Sequence, residues 1–150
     1  MEKVKVAIWG FGAMGSGMAK MIIDKEGFDI VGVCDLYDKI VGKSIFEILK
    51  VKNPFDHDVK ITDNIEDILQ NNKVDIVLLA TDSYTAGAFD KLKLILEHGV
   101  NVISTAEEMS YPKANEPALT KELDQIAKKN NVTVLGTGVN PGMMMDLLAI

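Results

Sequence analysis

Three glycines near the N-terminus have the spacing of a nucleotide-binding turn. Gly10, Gly12 and Gly15 follow an apolar, β-rich segment and open a segment with helical periodicity. In a dinucleotide site the first glycine permits a tight turn, the second lets the backbone approach a pyrophosphate, and the third lets helix and strand pack closely. The free N–H groups at the start of the helix then attract the phosphates. The motif by itself is weak, so its place between a strand and a helix carries the prediction.

An acidic residue at the end of the next apolar segment supports this interpretation. Asp35 lies 20 residues after Gly15, where a carboxylate can accept hydrogen bonds from the hydroxyls of an adenine ribose. The alternative is a glycine-rich turn beside a merely solvated Asp35. A carboxylate there favours NAD over NADP, whereas Lys39 and Lys43 can offset its charge, so both cofactors stay open. The predicted contacts of NAD or NADP in this region are Gly10, Phe11, Gly12, Ala13, Met14, Gly15 and Asp35.

The elements that must position these residues alternate between strand and helix along the chain. The predicted strands are 4–10, 28–35, 59–61, 74–81, 101–105 and 132–136, and the predicted helices are 13–26, 39–50, 64–71, 85–99 and 116–130. Near-continuous apolar runs are typical of strands that helices cover on both faces. The alternation indicates βαβ units with right-handed crossovers. The predicted fold class is α/β: a Rossmann-type, doubly wound, mostly parallel sheet with helices on both faces.

Ligands of such a sheet bind at the carboxyl ends of the strands, so the later strand ends are also candidates. The turn Ala80, Thr81, Asp82, Ser83 is small and polar, which suits a segment that passes beside a ribose or a nicotinamide. An alternative and compatible role is to cap the following helix through Asp82 or Ser83.

Two adjacent glutamates follow the strand at 101–105, near the expected position of the nicotinamide. Glu107 or Glu108 could anchor a cationic amine there and help to take a proton from it. Hydride leaves readily only from the neutral amine, so a carboxylate poised by its surroundings can shape that step. The competing interpretation is helix capping or simple solvation. The residues alone do not separate Glu107 from Glu108.

Composition excludes several classes of function. The formal net charge is −6 and the basic residues are scattered, which argues against nucleic acid and anionic membranes as partners. The longest apolar runs are too short to span a bilayer, and the N-terminus has no signal-peptide pattern. One cysteine, Cys34, and two distant histidines, His57 and His98, form no metal-ligand pattern. We therefore expect a cytoplasmic protein without a metal site.

Four segments together resemble the N-terminal half of the 2,4-diaminopentanoate dehydrogenase family, within the dihydrodipicolinate reductase and diaminopimelate dehydrogenase superfamily. They are VAIWGFGAMGSGMA, VGVCD, NVISTAEEMSYP and GTGVNPGMMMDLL, and the last two are the more specific. The resemblance implies NAD(P)-dependent oxidative deamination of 2,4-diaminopentanoate at C4 in ornithine fermentation, giving 2-amino-4-oxopentanoate and ammonia. It also implies that Thr105, Ala106 and Asn140 join the cofactor contacts, and that Glu107 or Glu108 anchors the amine.

Length is the one large departure from that family, whose members continue for about another domain. Residues 1–140 are predicted to form the dinucleotide-binding domain. Residues 141–150 are predicted to start a helix, opened by Pro141 and Gly142, that leads to a substrate and dimerisation domain. The alternative is a helix that closes the sheet's own face. We expect the full-length parent to be a homodimer acting on a small diamino acid, and this chain alone to turn over little substrate.

Two other functions fit the same residues. One is a related dehydrogenase or reductase of the diaminopimelate pathway or of another small amine. The other is a non-catalytic domain that senses NAD(H) and regulates a partner. The STAEE and NPGM segments argue against a sensor, since a sensor needs no special groups near the reactive carbon of the nicotinamide.

Overall fold

The structure, a computed structural model, describes residues 2–140, 143, 144 and 148. The strands are β1 Val4–Trp9, β2 Phe28–Cys34, β3 Ile61–Thr62, β4 Ile76–Leu79, β5 Asn101–Ser104 and β6 Val134–Gly136. The helices are α1 Ala13–Ile23, α2 Ile45–Leu49, α3 Ile65–Asn71, α4 Thr85–Glu97 and α5 Pro117–Asn130. The 3₁₀ helices η1 Glu107–Ser110 and η2 Pro112–Ala114 lie between β5 and α5.

The six strands follow the order β3-β2-β1-β4-β5-β6. The pairs β1–β2, β1–β4, β2–β3 and β5–β6 are all parallel. Strand order reverses after β1, which is the arrangement of a doubly wound sheet. The predicted α/β fold class is therefore confirmed.

The chain divides into two compact units, residues 1–80 and 81–150. In the first unit, β1 lies between β2 and β4, and the residues at the centre of β1 are buried. Ile8 and Ile30 are fully buried, and Ala19 of α1 and Ile45 of α2 pack in the same core. This burial explains why the β1 and β2 segments read as near-continuous apolar runs.

The second unit is built from β5, β6 and the two longest helices. Val102 pairs with Val134 in the parallel register of β5 and β6. Leu92 of α4 and Leu123 of α5 are buried, and the two helices contact each other. Asn131 ends α5 with φ 55, a left-handed conformation that asparagine tolerates better than most residues.

The main local difference from the predicted elements concerns α2. Its predicted range was 39–50, but the helix begins at Ile45 because Ser44 caps it, with the Ser44 hydroxyl accepting the Phe46 N–H at 3.3 Å. The preceding residues form turns instead, and Gly42 has φ 80. The 3₁₀ helix η1 was not predicted at all. The predicted C-terminal helix lies largely outside the described residues. Of those described there, Met143, Met144 and Leu148 donate their N–H groups to the carbonyl oxygens of Gly138, Val139 and Met143.

Within residues 2–140, 143, 144 and 148, no helix has the length and apolar content that a bilayer crossing requires. No group of three or more His, Cys, Asp and Glu side chains there is arranged to hold a metal ion.

Candidate functional site

The glycine turn of the first unit has an open side and a closed side. Gly10 adopts φ 94, which favours glycine. A Cβ on Gly15 would lie 1.8 Å from the Gly10 carbonyl oxygen, so only glycine lets α1 approach the turn this closely. A Cβ on Gly12 would meet nothing within 4 Å. The space beside Gly12 is thus available to a ligand.

The start of α1 also offers backbone N–H groups that no side chain caps. Gly12 is the N-cap residue, makes no side-chain cap, and no acidic residue lies in the first turn. Phe11 is buried, whereas Ala13 and Met14 are exposed. An uncapped helix start with no acidic residue in its own first turn offers backbone N–H groups and a partial positive charge to an anion. These residues fit the pyrophosphate of a dinucleotide.

Asp35 is fixed beside this turn by two backbone bonds. Its Oδ2 accepts the N–H of Phe11 at 2.5 Å, and its Oδ1 accepts the N–H of Tyr37 at 2.8 Å. An ionised carboxylate has about four acceptor positions, so two remain for ribose hydroxyls. The structure therefore brings Gly10–Gly15 and Asp35 together, as an adenosine site requires.

Ala80 bonds within the first unit, whereas Thr81, Asp82 and Ser83 belong to the second unit. Ala80 closes the first unit, and its N–H donates to the Trp9 carbonyl at 2.8 Å. In the second unit Asp82 pairs with Lys91 at 3.0 Å and accepts the Thr81 hydroxyl. Ser83 is exposed. The alternative that Asp82 or Ser83 caps α4 is wrong, because the N-cap residue is Tyr84 and it makes no side-chain cap.

The cap of α4 comes from Glu108 instead. Its Oε2 accepts the N–H of Thr85 at 2.6 Å, and its Oε1 accepts the side-chain amide of Asn115 at 2.8 Å. The Thr85 N–H is the main cause, and the Asn115 amide the next, of a Glu108 pKa below its ordinary value. Of the two interpretations of the acidic pair, helix capping describes Glu108.

Glu107 has a different environment. Its side chain is exposed, and its carbonyl oxygen accepts the Ser110 hydroxyl at 2.9 Å. No hydrogen bond or ion pair joins its carboxylate to the part of the chain that the structure describes. That carboxylate is free to bind a ligand. The two glutamates, which the sequence left equivalent, are thus distinct.

The remaining predicted contacts, Thr105, Ala106 and Asn140, all lie in the second unit. Thr105 is half-buried, Ala106 is buried with its N–H on the Ser104 hydroxyl at 3.2 Å, and Asn140 is exposed. Thr85 and Asn115 were not predicted as part of any site. No local signal identifies them, because their bonds to Glu108 span 23 and 7 residues of sequence.

Comparison with known proteins gives one family and several relatives. The family model described as dihydrodipicolinate reductase, N-terminus, matches residues 4–134. The chain is 53% identical over all 150 residues to a 2,4-diaminopentanoate dehydrogenase of Acetoanaerobium sticklandii, covering 42% of that protein. It is 33% identical over 97 residues to the redox-sensing transcriptional repressor Rex of Clostridium acetobutylicum, which is 64% of this chain and 40% of the repressor.

A solved structure of an amine dehydrogenase is also similar to this chain. An amine dehydrogenase from Mycobacterium smegmatis superposes with a TM-score of 0.82 at 34% identity, over 90% of this chain and 39% of that one. The chain therefore spans about two-fifths of the length of the relatives that it matches.

Proposed function

The chain belongs to the family of the dihydrodipicolinate reductase N-terminus, and we propose on that premise that it is the nucleotide-binding part of an NAD(P)-dependent amine dehydrogenase. The proposed reaction is oxidative deamination of 2,4-diaminopentanoate to 2-amino-4-oxopentanoate and ammonia. The observation that carries this choice is the 53% identity, over the whole chain, to a protein named for that substrate.

The first unit supplies the binding site for the adenosine and pyrophosphate end of the cofactor. The N–H groups at the uncapped start of α1 hold the phosphates, and Gly12 leaves the space that they need. Asp35 is already held by Phe11 and Tyr37, so it meets the ribose hydroxyls without first losing side-chain freedom. This part of the proposal stands on local geometry.

The amine end of the site is assigned to the second unit. A bound NAD(P)⁺ would supply the acceptor for the hydride that leaves C4 of the diamine, and water would hydrolyse the resulting imine to the ketone and ammonia. Before that step, the ammonium at C4 must lose a proton, because the nitrogen lone pair stabilises the positive charge that develops at the carbon. We assign the anchoring of this amine to Glu107, whose carboxylate is exposed and has no intramolecular partner among the described residues. Thr81, Ser83, Thr105 and Ala106 are proposed to border the nicotinamide.

The properties of the full-length parent belong to the same proposal. A substrate and dimerisation domain follows residues 141–150 in this scheme, and the parent works as a homodimer in the cytoplasm, where free pyridine nucleotides are supplied. The length of the relatives supports the further domain, since the chain covers 42% of the 2,4-diaminopentanoate dehydrogenase.

Calorimetric titration of the chain with NADH and NADPH tests the cofactor half. We expect saturable binding of at least one of them with micromolar to submillimolar Kd, since the chain contributes the phosphate and ribose contacts. A folded chain that binds neither at millimolar concentration would refute the proposal. Gly17→Ala, which alters α1 where a Cβ meets nothing within 4 Å, is the matched control for changes in the glycine turn.

Assays of the full-length parent test the amine half. We expect amine-dependent reduction of NAD or NADP with 2,4-diaminopentanoate, and weaker rates with other small diamines. Glu107→Gln should lower kcat/KM by about a hundredfold, in the range typical of a positioned group that handles a proton. Glu122→Gln on α5 is the control, because Glu122 pairs with Lys93 on the helix surface. An unchanged kcat/KM in Glu107→Gln would remove Glu107 from the reaction.

A non-catalytic NAD(H) sensor is the second candidate, and the similarity to the redox-sensing repressor Rex favours it. Both candidates bind the cofactor, so binding alone does not separate them. Amine-dependent cofactor reduction by the parent supports the dehydrogenase. Cofactor binding without turnover on any amine of a diverse panel supports the sensor.

A further inference from the structure

Glu108 uses both oxygens of its carboxylate inside the second unit. Oε2 accepts the Thr85 N–H at 2.6 Å, and Oε1 accepts the Asn115 side-chain amide at 2.8 Å. The backbone N–H of Glu108 donates to the Ser83 carbonyl at 3.2 Å. One residue therefore joins the turn before α4, the 3₁₀ helix after β5, and the residue that ends η2.

The bond to Thr85 meets a requirement that α4 does not meet by itself. Tyr84 gives no side-chain cap, and the first turn of α4 has no acidic residue. Thr85 is fully buried, so water cannot replace a lost partner of its N–H. A buried N–H without a partner is costly, and a negative charge at a helix start is favourable. Glu108, 23 residues away in sequence, supplies both the partner for the Thr85 N–H and the negative charge at the helix start.

The same contacts make Glu108 unsuited to accepting a proton. The Thr85 N–H first, and then the Asn115 amide, lower the pKa of the Glu108 carboxyl. A general base works best when its pKa lies near the operating pH. A carboxylate whose oxygens are both engaged, and whose ionised form is stabilised, is a weaker base than one that is free.

We infer that Glu108 is a positioning residue: by binding Thr85, Ser83 and Asn115 it holds the 81–84 turn and the 105–111 segment in one arrangement. This inference rests on the proposed function only in that those two segments border the nicotinamide and the amine. It assigns different work to the two neighbouring glutamates, with Glu107 facing the ligand and Glu108 maintaining the backbone around it.

Comparison of Glu108→Gln with Glu108→Ala in the full-length parent tests the inference. Gln keeps a carbonyl oxygen for the Thr85 N–H, and its amide can donate to the Asn115 carbonyl once that side chain turns over. We expect Glu108→Gln to restore kcat to within about threefold of the native value, while Glu108→Ala loses about tenfold, the equivalent of one charge-assisted hydrogen bond. In a plot of kcat/KM against pH, the fall in rate on the acid side should persist in Glu108→Gln; we call this fall the acid limb.

The opposite pattern would overturn the inference. If Glu108 takes the proton, Glu108→Gln will be as inactive as Glu108→Ala, and the acid limb of the profile will disappear. Should Glu108→Ala fail to fold, Asn115→Ala can replace it, because this change removes only the bond at Oε1. We then expect a smaller loss of kcat, and the pH dependence of kcat/KM should stay that of the native enzyme. An acid limb abolished by Asn115→Ala would also contradict the inference.

Hydrogen exchange gives a readout that needs neither amine nor cofactor. In the 150-residue chain, we expect the Thr85 amide to exchange about tenfold faster in Glu108→Ala and near the native rate in Glu108→Gln, because only the alanine variant loses the cap of α4. Native protection of Thr85 in Glu108→Ala would refute the positioning role. If exchange behaves as expected but no amine is oxidised by the parent, the proposed function fails while the positioning role stands.

Discussion

The backbone N–H of Phe11 donates to Oδ2 of Asp35 at 2.5 Å, which makes the glycine turn and the carboxylate after β2 one hydrogen-bonded element. Tyr37 holds the other oxygen of the same carboxylate at 2.8 Å. Because both bonds come from backbone N–H groups, the position of Asp35 follows from the main chain of the loops that come after β1 and β2. A ribose bound there meets a carboxylate that is already oriented.

Replacing Asp35 should weaken NADH binding more than NADPH binding. Asp35→Ala removes acceptors for the ribose hydroxyls and also removes a negative charge that repels a 2′-phosphate, so NADH affinity should fall about tenfold to a hundredfold. Fluorescence titration with the two reduced cofactors measures both Kd values. Asp38→Ala is the control, because Asp38 is an exposed carboxylate three residues away. Equal losses for both cofactors would contradict the ribose assignment.

Gly12→Ala should separate binding from folding. The added Cβ meets nothing within 4 Å and Gly12 has an ordinary φ of −71, so the free energy of unfolding should change by no more than about 0.5 kcal/mol. The methyl group would occupy space that the pyrophosphate needs, so NADH affinity should fall at least about tenfold. Urea unfolding and NADH titration of the same sample measure the two effects. Tight NADH binding by this variant would show that the phosphates lie elsewhere.

Gly15→Ala should instead damage the fold. Its Cβ would lie 1.8 Å from the Gly10 oxygen and 2.9 Å from the Gly10 carbon, both backbone atoms. Moving α1 away to relieve this overlap should cost about 1–3 kcal/mol of unfolding free energy, or more. Gly17→Ala on the same helix should raise stability by about 0.4–1 kcal/mol, because alanine restricts the unfolded chain. Similar urea midpoints for the two variants would contradict the packing role of Gly15.

The single thiol should be inert in the folded chain. Cys34 is buried, and burial first, with the Asp35 charge next, raises its pKa to about 12. At pH 8 about one thiol in ten thousand is then ionised, and only the thiolate reacts readily with alkylating reagents. Mass spectrometry should find little iodoacetamide labelling at pH 8 in buffer and complete labelling in guanidinium. Fast labelling of the native chain would show that β2 opens locally.

His57 should make stability depend on pH. Its Nε2 lies 3.1 Å from the Ile30 carbonyl and its Nδ1 lies 3.0 Å from Asp56 Oδ1. Both partners are acceptors, and a neutral imidazole has one N–H, so the two bonds form together only when the ring is protonated. The surrounding charges are mixed: the buried Asp29 carboxylate faces Nε2 at 3.5 Å and is itself paired with Lys5.

The direction of this pH dependence of stability follows from the raised pKa of His57. The Asp56 hydrogen bond is the main cause of a His57 pKa above its ordinary value, with the Ile30 carbonyl and the Asp29 charge adding to it against burial. A raised folded-state pKa means that the stabilisation is complete below the unfolded pKa, about 6.5, and is lost as pH rises through the folded value. Urea unfolding should show stability falling by a fraction of a kcal/mol from pH 6 to pH 8, since the ring is partly exposed. His57→Gln should flatten that dependence.

Much of the architecture could be predicted because its causes are local. Apolar runs marked β1, β2 and β5, and glycine spacing marked the turn before α1, since each signal depends on residues that are neighbours in sequence. The predicted start of α2 was wrong, because helical periodicity alone does not show which residue caps the helix. The helical pattern extended back to residue 39, but Ser44 and the turns before it decide where the first N–H is capped.

The sequence by itself determined the α/β class, the glycine turn and the acid that follows it, because strand and helix periods and the needs of a tight turn are written in adjacent residues. Only the tertiary structure decided which of two adjacent glutamates caps α4, since the N–H that Glu108 binds is 23 residues away. A hydrogen bond depends on distance in space, and two neighbours on one short 3₁₀ helix can point toward different partners. That physical difference leaves Glu107 free for a ligand and Glu108 committed to the fold.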